Sequence, residues 1–301
     1  MKQKNIAVSQ SLWLIPAWLL TVVLVFGLSN CRPSVTPNAP EVKGKLFIIG
    51  GGKRGAELVN RMIKEAGLDK GGYVYILPMA SELADSAVIW AGEQFLQANV
   101  QAIAASDFDS PEDMTPQRLD SVAAASLIYI SGGDQRRFME KVRNTPLQYA
   151  IYQAYRNGAL IAGTSAGAAV MSEWMISGTE LNYPEYNSTF LHLEHDNIEL
   201  DTGMAFFKSA IIDQHFVKRS RYNRLISAIA LHPDKIGIGI DESTAILVHH
   251  DSAEVIGESQ VIIFAMKGSV NWSPEGKIGM KNLRLDIYLP GEKFYIGAHV
   301  P

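Results

Sequence analysis

The sequence predicts an α/β fold: a mainly parallel sheet flanked by helices, with a β-rich extension at the C-terminal end. Three observations carry that prediction. Short apolar β-rich runs alternate with helical periods from about residue 45 to residue 231. Those runs are apolar throughout rather than alternating, as strands buried on both faces are. Beyond residue 235 the helical spacing gives way to strands joined by short turns.

The elements follow in order. Leu46-Phe47-Ile48-Ile49 is a buried strand ending at Gly50-Gly51-Gly52. A helical period runs through Ala56, Val59, Ile63 and Ala66 and closes at Gly67, a residue suited to the left-handed C-cap. Tyr73–Leu77 is the second strand, stopped by Pro78; residues 85–98 suit a helix, and Val100–Ala104 a third strand. Leu127–Ile130 is the fourth, ending in Ser131-Gly132-Gly133. Thr145-Pro146 pairs a cap residue with a first-turn proline, so a helix is expected to about Arg156. Ala159–Ala162 is the fifth strand; residues 236–240, 245–248, 261–265 and 283–289 are the strands of the C-terminal extension.

Three segments are expected along the chain: a leader over 1–30, a tether over 31–43 and one α/β domain over 44–301. Lys2 and Lys4 precede an apolar run from Leu12 to Leu28, which reads as a secretory signal or an uncleaved anchor. The run ends at Leu28-Ser29-Asn30-Cys31, and Cys31 is the only cysteine. This resembles a bacterial lipoprotein signal with Cys31 as the lipidated residue, although Asn30 departs from the small residue such signals carry there. The expectation is an exported protein, periplasmic or at the cell surface, held to a membrane through lipid or anchor. Residues 32–40 hold three prolines among small polar neighbours, the composition of an extended linker.

The net charge is -4, and -6 without residues 1–30, which contain two lysines and no acid. That balance gives no electrostatic reason to expect a nucleic-acid partner.

Gly163-Thr164-Ser165-Ala166-Gly167 fits the G-x-S-x-G elbow, with an apolar strand before it and a small-residue helix start after it. Ser165 would stand at a helix N-terminus, where the Ala166 N–H can face a developing oxyanion. A tight structural turn is the plainer alternative for the same residues. Gly132-Gly133-Asp134-Gln135 ends the preceding strand at the same sheet edge. Gly133 is the candidate second oxyanion donor, and Gln135 a candidate for a substrate amide; a helix capped by Asp134 explains the same residues without function.

Among seven histidines, His215 stands apart, because it closes the apolar run Ala210-Ile211-Ile212 followed by Asp213-Gln214. That is how a strand end delivers a reactive group. His192 and His195 are spaced for one helical face, but no third metal ligand accompanies them, and surface positions suit them better. Arg219, Arg221 and Arg224 follow His215 at the start of a helix, where cations oppose the dipole, so another interaction must hold them. They suit recognition of carboxylates. Glu242 and Asp241 both follow a further buried strand, and spacing leaves open which of them orients His215.

Taken together, Gly132–Gln135, Gly163–Gly167, Asp213-Gln214-His215-Phe216 with its three arginines, and Gly239–Glu242 resemble the cyanophycinases from about Lys45 onward. These are serine peptidases with a flavodoxin-like, class I glutamine amidotransferase-like fold. The resemblance implies a Ser165–His215–Glu242 triad, no metal and no cofactor. It also implies hydrolysis of multi-L-arginyl-poly-L-aspartate to β-aspartyl-arginine, with Gln135, Asp213, Gln214, Arg219, Arg221 and Arg224 binding substrate. A homodimer belongs to the same set of expectations. Asp134 departs from the family's frequent asparagine. An aspartyl dipeptidase of the same fold, and a lipid-anchored peptide-binding protein without turnover, are the alternative readings.

Overall fold

The computed structural model describes residues 42–298 apart from 186 and 187. The leader run, Cys31 and most of the tether lie outside the described residues. Among the described residues no helix is long and apolar enough to cross a membrane.

The first half alternates as its sequence predicts: β1 (Lys45–Ile49), α1 (Ala56–Glu65), β2 (Val74–Leu77), α2 (Ala84–Gln97) and β3 (Ile103–Ala105). Then come α3 (Pro116–Ala123), β4 (Leu127–Ile130), α4 (Gln135–Val142), α5 (Pro146–Asn157), β5 (Leu160–Thr164) and the single turn α6 (Ala166–Ala169). The caps work as expected. Gly67 takes φ 67° after α1, its N–H bonding the Lys64 carbonyl while the Leu68 N–H bonds that of Ile63, a Schellman closure. Thr145 accepts from the Gln148 N–H ahead of Pro146. Asp134 caps α4 by accepting from the Arg136 N–H at 2.7 Å, so its charge sits at the favourable end of that helix. The α3 helix has no counterpart in the sequence reading; its cap, Thr115 before Pro116, repeats the Thr145-Pro146 pattern.

The second half holds β6 (Trp174–Ile176), β7 (Leu200–Thr202), β8 (Ala210–Gln214), α7 (Tyr222–Leu231) and β9 (Ile236–Ile240). After them come β10 (Thr244–His249), β11 (Ser252–Gly257), β12 (Val261–Trp272), β13 (Ile278–Tyr288) and β14 (Lys293–Tyr295). The expected extension divides into two parts. In the eight-stranded sheet, β14-β11-β10-β1-β5-β4-β2-β3, strands β1 to β5 are mutually parallel, and β10, β11 and β14 add on antiparallel. The remaining strands form a separate four-stranded sheet, β13-β12-β9-β8, in which β8 and β9 run parallel. Strands β12 and β13 are long enough to reach well beyond that layer, which is why the apolar cores of these strands understate their length.

Alternation along each central strand divides the core. Leu46 and Ile48 of β1 and Ile128 and Ile130 of β4 enter one cluster, while Phe47, Ile49, Leu127 and Tyr129 enter another beneath α1 and α2. Both faces are covered, as uninterrupted apolar strands require. The first cluster also contains Ile236, Ile238 and Ile240 of β9, so apolar packing joins the two sheets directly. A third cluster seats α7 on the other face of the smaller sheet through Leu225, Ile229, Ile262 and Phe264.

Candidate active site

Three loops meet at the carboxyl ends of neighbouring parallel strands: Gly50-Gly51-Gly52 after β1, Ser131-Gly132-Gly133 after β4, and Ser165 after β5. In open α/β sheets this edge is where ligands bind. Ser165 sits at φ 53° and ψ -111°, a conformation that an L-residue adopts only under constraint. The constraint is close packing of backbone. A Cβ at Gly163 would run into the Gly167 carbonyl, and one at Gly167 into that of Ile130. The Ser165 N–H bonds the Ile49 carbonyl at 3.1 Å, tying the elbow to β1. With the serine N–H engaged, Ala166 is the next donor at the start of α6.

His215 arrives from the other sheet, at the end of β8, also with positive φ (50°). Its N–H bonds the Gly50 carbonyl at 2.7 Å, and its ring lies against Gly51, where any Cβ would overlap it. The imidazole spans two partners: Ser165 Oγ lies 2.8 Å from Nε2, and Glu242 Oε1 lies 2.7 Å from Nδ1. Burial holds the His215 imidazole below its ordinary value; Glu242 acts in the opposite sense, and the cations of Arg219 and Arg221 reinforce the lowering. At neutral pH the ring is therefore neutral, with Nδ1–H donating to Glu242 and Nε2 free to accept from the serine hydroxyl.

Asp241 is occupied elsewhere. Its carboxylate accepts from the Lys218 N–H and the Ser259 hydroxyl, both at 2.8 Å, and so fastens the segment after His215. Of the two acids left open by spacing, Glu242 is the one in contact with the imidazole.

Gly132 faces Ser165, and Gly133, at φ 140°, packs against Ala80 so closely that no side chain fits. Gln135 is buried, with its amide donating to the Ile176 carbonyl at 2.5 Å. Asp213 is wholly buried beneath Arg224, whose Nε bonds Oδ2 at 2.8 Å and whose Nη2 bonds Oδ1. Nη1 of the same guanidinium reaches the Gly178 carbonyl, and Nη2 also meets the Gln214 amide oxygen at 3.2 Å. Arg221 donates to the Gln214 carbonyl at 2.9 Å; burial, with repulsion from Arg224 next, pushes its guanidinium down to about 10, still charged at neutral pH. These contacts are what hold Arg221 and Arg224 at the start of α7.

A cavity of about 270 Å3 is lined by Arg219, Arg221 and Arg224 together with Thr179, Glu180 and Tyr183. Asp213 has no surface to present to a ligand, so Glu180 is the acid that faces this space. Burial raises its carboxyl above the ordinary range, and it accepts from the Asn197 amide at 2.9 Å. Glu180 lies in a polar stretch without periodicity, and no feature of the sequence marks it. His192 stacks on Tyr183, while His195 meets Trp272 edge-on. A separate cavity of about 250 Å3 contains Ser165 and His215 themselves, with Gly51, Ser131 and Gly132 among its walls. The glycine triplet is the part of the site that the sequence marks only as a strand end.

The model of peptidase family S51 matches residues 46–256. The chain is 33% identical to a cyanophycinase from Nostoc sp. over 275 residues, covering 87% of this chain and 88% of that one. Among solved structures, a peptidase from an acI-B1 actinobacterium superposes with a TM-score of 0.61 at 24% identity, covering 85% of this chain and 98% of the other. A putative peptidase E protein from Listeria monocytogenes gives 0.50 at 16% identity, covering 72% and 99%. At those identities the two structures speak for the fold alone.

Proposed function

The chain belongs to peptidase family S51 and is a serine-type peptidase, and from that premise we propose that it hydrolyses cyanophycin to β-aspartyl-arginine. The single observation that carries the reading is the hydrogen-bonded chain Ser165 Oγ–His215 Nε2, His215 Nδ1–Glu242 Oε1, lying next to a cavity of three arginines and one acid. The product keeps its arginine on the aspartyl side chain, so the bond broken is the backbone amide between aspartates. Every unit of such a polymer carries a free carboxylate and a guanidinium, and Arg219 and Arg221 with Glu180 supply complements to both.

Chemically, His215 Nε2 takes the Ser165 proton as Oγ attacks the aspartyl carbonyl carbon. The N–H groups of Ala166 and Gly133 stabilise the resulting oxyanion. The C–N bond then breaks, His215 hands its proton to the leaving amine, and an acyl-serine ester remains. Water attacks that ester with His215 again as base, which regenerates Ser165. Glu242 keeps the imidazole in the required tautomer and stabilises the imidazolium. Asp213, Gln214 and Gln135 act in this reading as positioning residues: Asp213 and Gln214 fix Arg224 and Arg221, and Gln135 fixes the strand end at Ile176. Residues 1–31 are proposed to export the enzyme and anchor it through Cys31, which suits a scavenging role. Loss of membrane association on Cys31→Ser, read by fractionation, tests that part; retention overturns it.

The test of the reaction is mass spectrometry of products after incubating the purified chain with cyanophycin, beside Ser165→Ala. Release of β-aspartyl-arginine by the parent and none by the variant supports substrate and nucleophile together. Cleavage of Asp-X dipeptides with the polymer left intact transfers the assignment to an aspartyl dipeptidase. Tight peptide binding without covalent labelling of Ser165 by a fluorophosphonate leaves a binding protein.

A further inference from the structure

The cavity that contains Ser165 extends to a wall the triad does not use, carrying Arg54, Trp90, Tyr129 and Thr164. Arg54 is fixed in place: Nε donates to Gln94 Oε1 at 2.7 Å and Nη1 to the Gly52 carbonyl at 3.3 Å. Neither partner is a carboxylate, so the groups that orient this guanidinium leave its charge uncompensated. One hydroxyl in the same wall, Thr164 Oγ1, is buried without a hydrogen-bond partner among the described residues, while the Tyr129 phenol lies beside the Gln94 side chain that orients Arg54. Buried polar groups are ordinarily paired, and exceptions beside a reactive centre are places a ligand completes. Burial pushes the Tyr129 phenol up, which keeps it a donor. Trp90 stands 61% exposed and offers an indole face at the same cavity. This wall shares no lining residue with the arginine cavity and comes from different elements: the loop after β1, α2, and the ends of β4 and β5.

We propose that this wall is a second anion-binding subsite, holding the substrate residue across the scissile bond from the one in the arginine cavity, with Arg54 binding its carboxylate. The inference rests on the peptidase reading above. A polymer whose units each carry one carboxylate and one guanidinium presents the same pair of charges on both sides of the bond that breaks. Arg219, Arg221 and Glu180 answer one pair. Arg54 answers the second carboxylate, and Trp90 takes the second guanidinium by cation–π stacking.

The test uses the full chain and a two-unit β-aspartyl-arginine oligomer, as the free acid and with either arginyl carboxylate methylated. Arg54→Ala is expected to raise KM about 10- to 100-fold on the free acid, with kcat changing far less. The penalty disappears on one methyl ester and persists on the other, and Arg54→Lys restores part of the loss. Arg219→Ala shows the reverse preference between the two esters. An Arg54→Ala effect under about twofold, or an equal loss on all three substrates, overturns the subsite. If the parent cleaves none of them, the cyanophycin reading fails instead, and the subsite is then read from binding to Ser165→Ala. There, a free-acid advantage abolished by Arg54→Ala supports it, and equal binding of acid and esters overturns it.

Discussion

The two sheets build their halves of the site by different means. The eight-stranded sheet presents Ser165 through backbone packing: glycines at 163 and 167 let strand, turn and helix touch, and the serine N–H is pinned to β1. The four-stranded sheet presents His215 and Glu242 on a base of charged side chains, with Asp213 and Arg224 buried together and Asp241 capping the segment after the histidine. A site made by close approach fails when a side chain grows. One made by ion pairing fails when a charge is removed.

The bluntest way to break the comparison is to remove the proposed nucleophile. Ser165→Ala should lower kcat by about 10^4-fold or more with melting temperature nearly unchanged, read by product release and thermal denaturation. Asp213→Asn separates the halves next. It leaves Arg224 buried without its counter-charge and should cost about 3–5 kcal/mol in a urea titration, while the elbow itself is untouched. Gly51→Ala works from the other side: a methyl group against the His215 ring, at φ 105°, should lower kcat about 100-fold. Its stability loss should be smaller than that of Asp213→Asn. The finest effect is on pH. The proposed mechanism needs neutral His215, whose value lies below the ordinary one, so the rate should be full at neutral pH and fall as the ring gains a proton on acidification. Arg219→Ala removes a cation that lowers the value, so the acidic limb of kcat/KM should move to higher pH; a limb that stays fixed breaks the electrostatic account.

The same contrast decides which features are legible in the sequence. The elbow is legible because strand, small-residue pentad and helix start are local, and the β-α alternation marks a mainly parallel sheet in the same way, though not the order β1-β5-β4-β2-β3 of its strands. His215 was legible as the end of an apolar run. The division of the C-terminal strands into two sheets was not, since apolar runs at 236–240 and 245–248 look alike while only pairing sends them to different layers. Nor did spacing separate Asp241 from Glu242: adjacent residues at a strand end point different ways, and which one meets the imidazole depends on β8 lying beside β9. Gly51 and Arg54 went unread for a related reason. Their importance lies in what sits opposite them, 164 residues away for Gly51 and His215, and nothing local records it.

The short loop after β1 also acts as a seam. The Gly50 carbonyl accepts from His215 and the Gly51 carbonyl from the Ser243 N–H at 2.9 Å, so one turn of the first layer holds both arms of the second. Ser165 and His215 therefore come within reach of each other only once the two layers have joined. A chain that has closed its first sheet alone carries an inert serine, which makes fluorophosphonate labelling of Ser165 a clock for the last stage of folding.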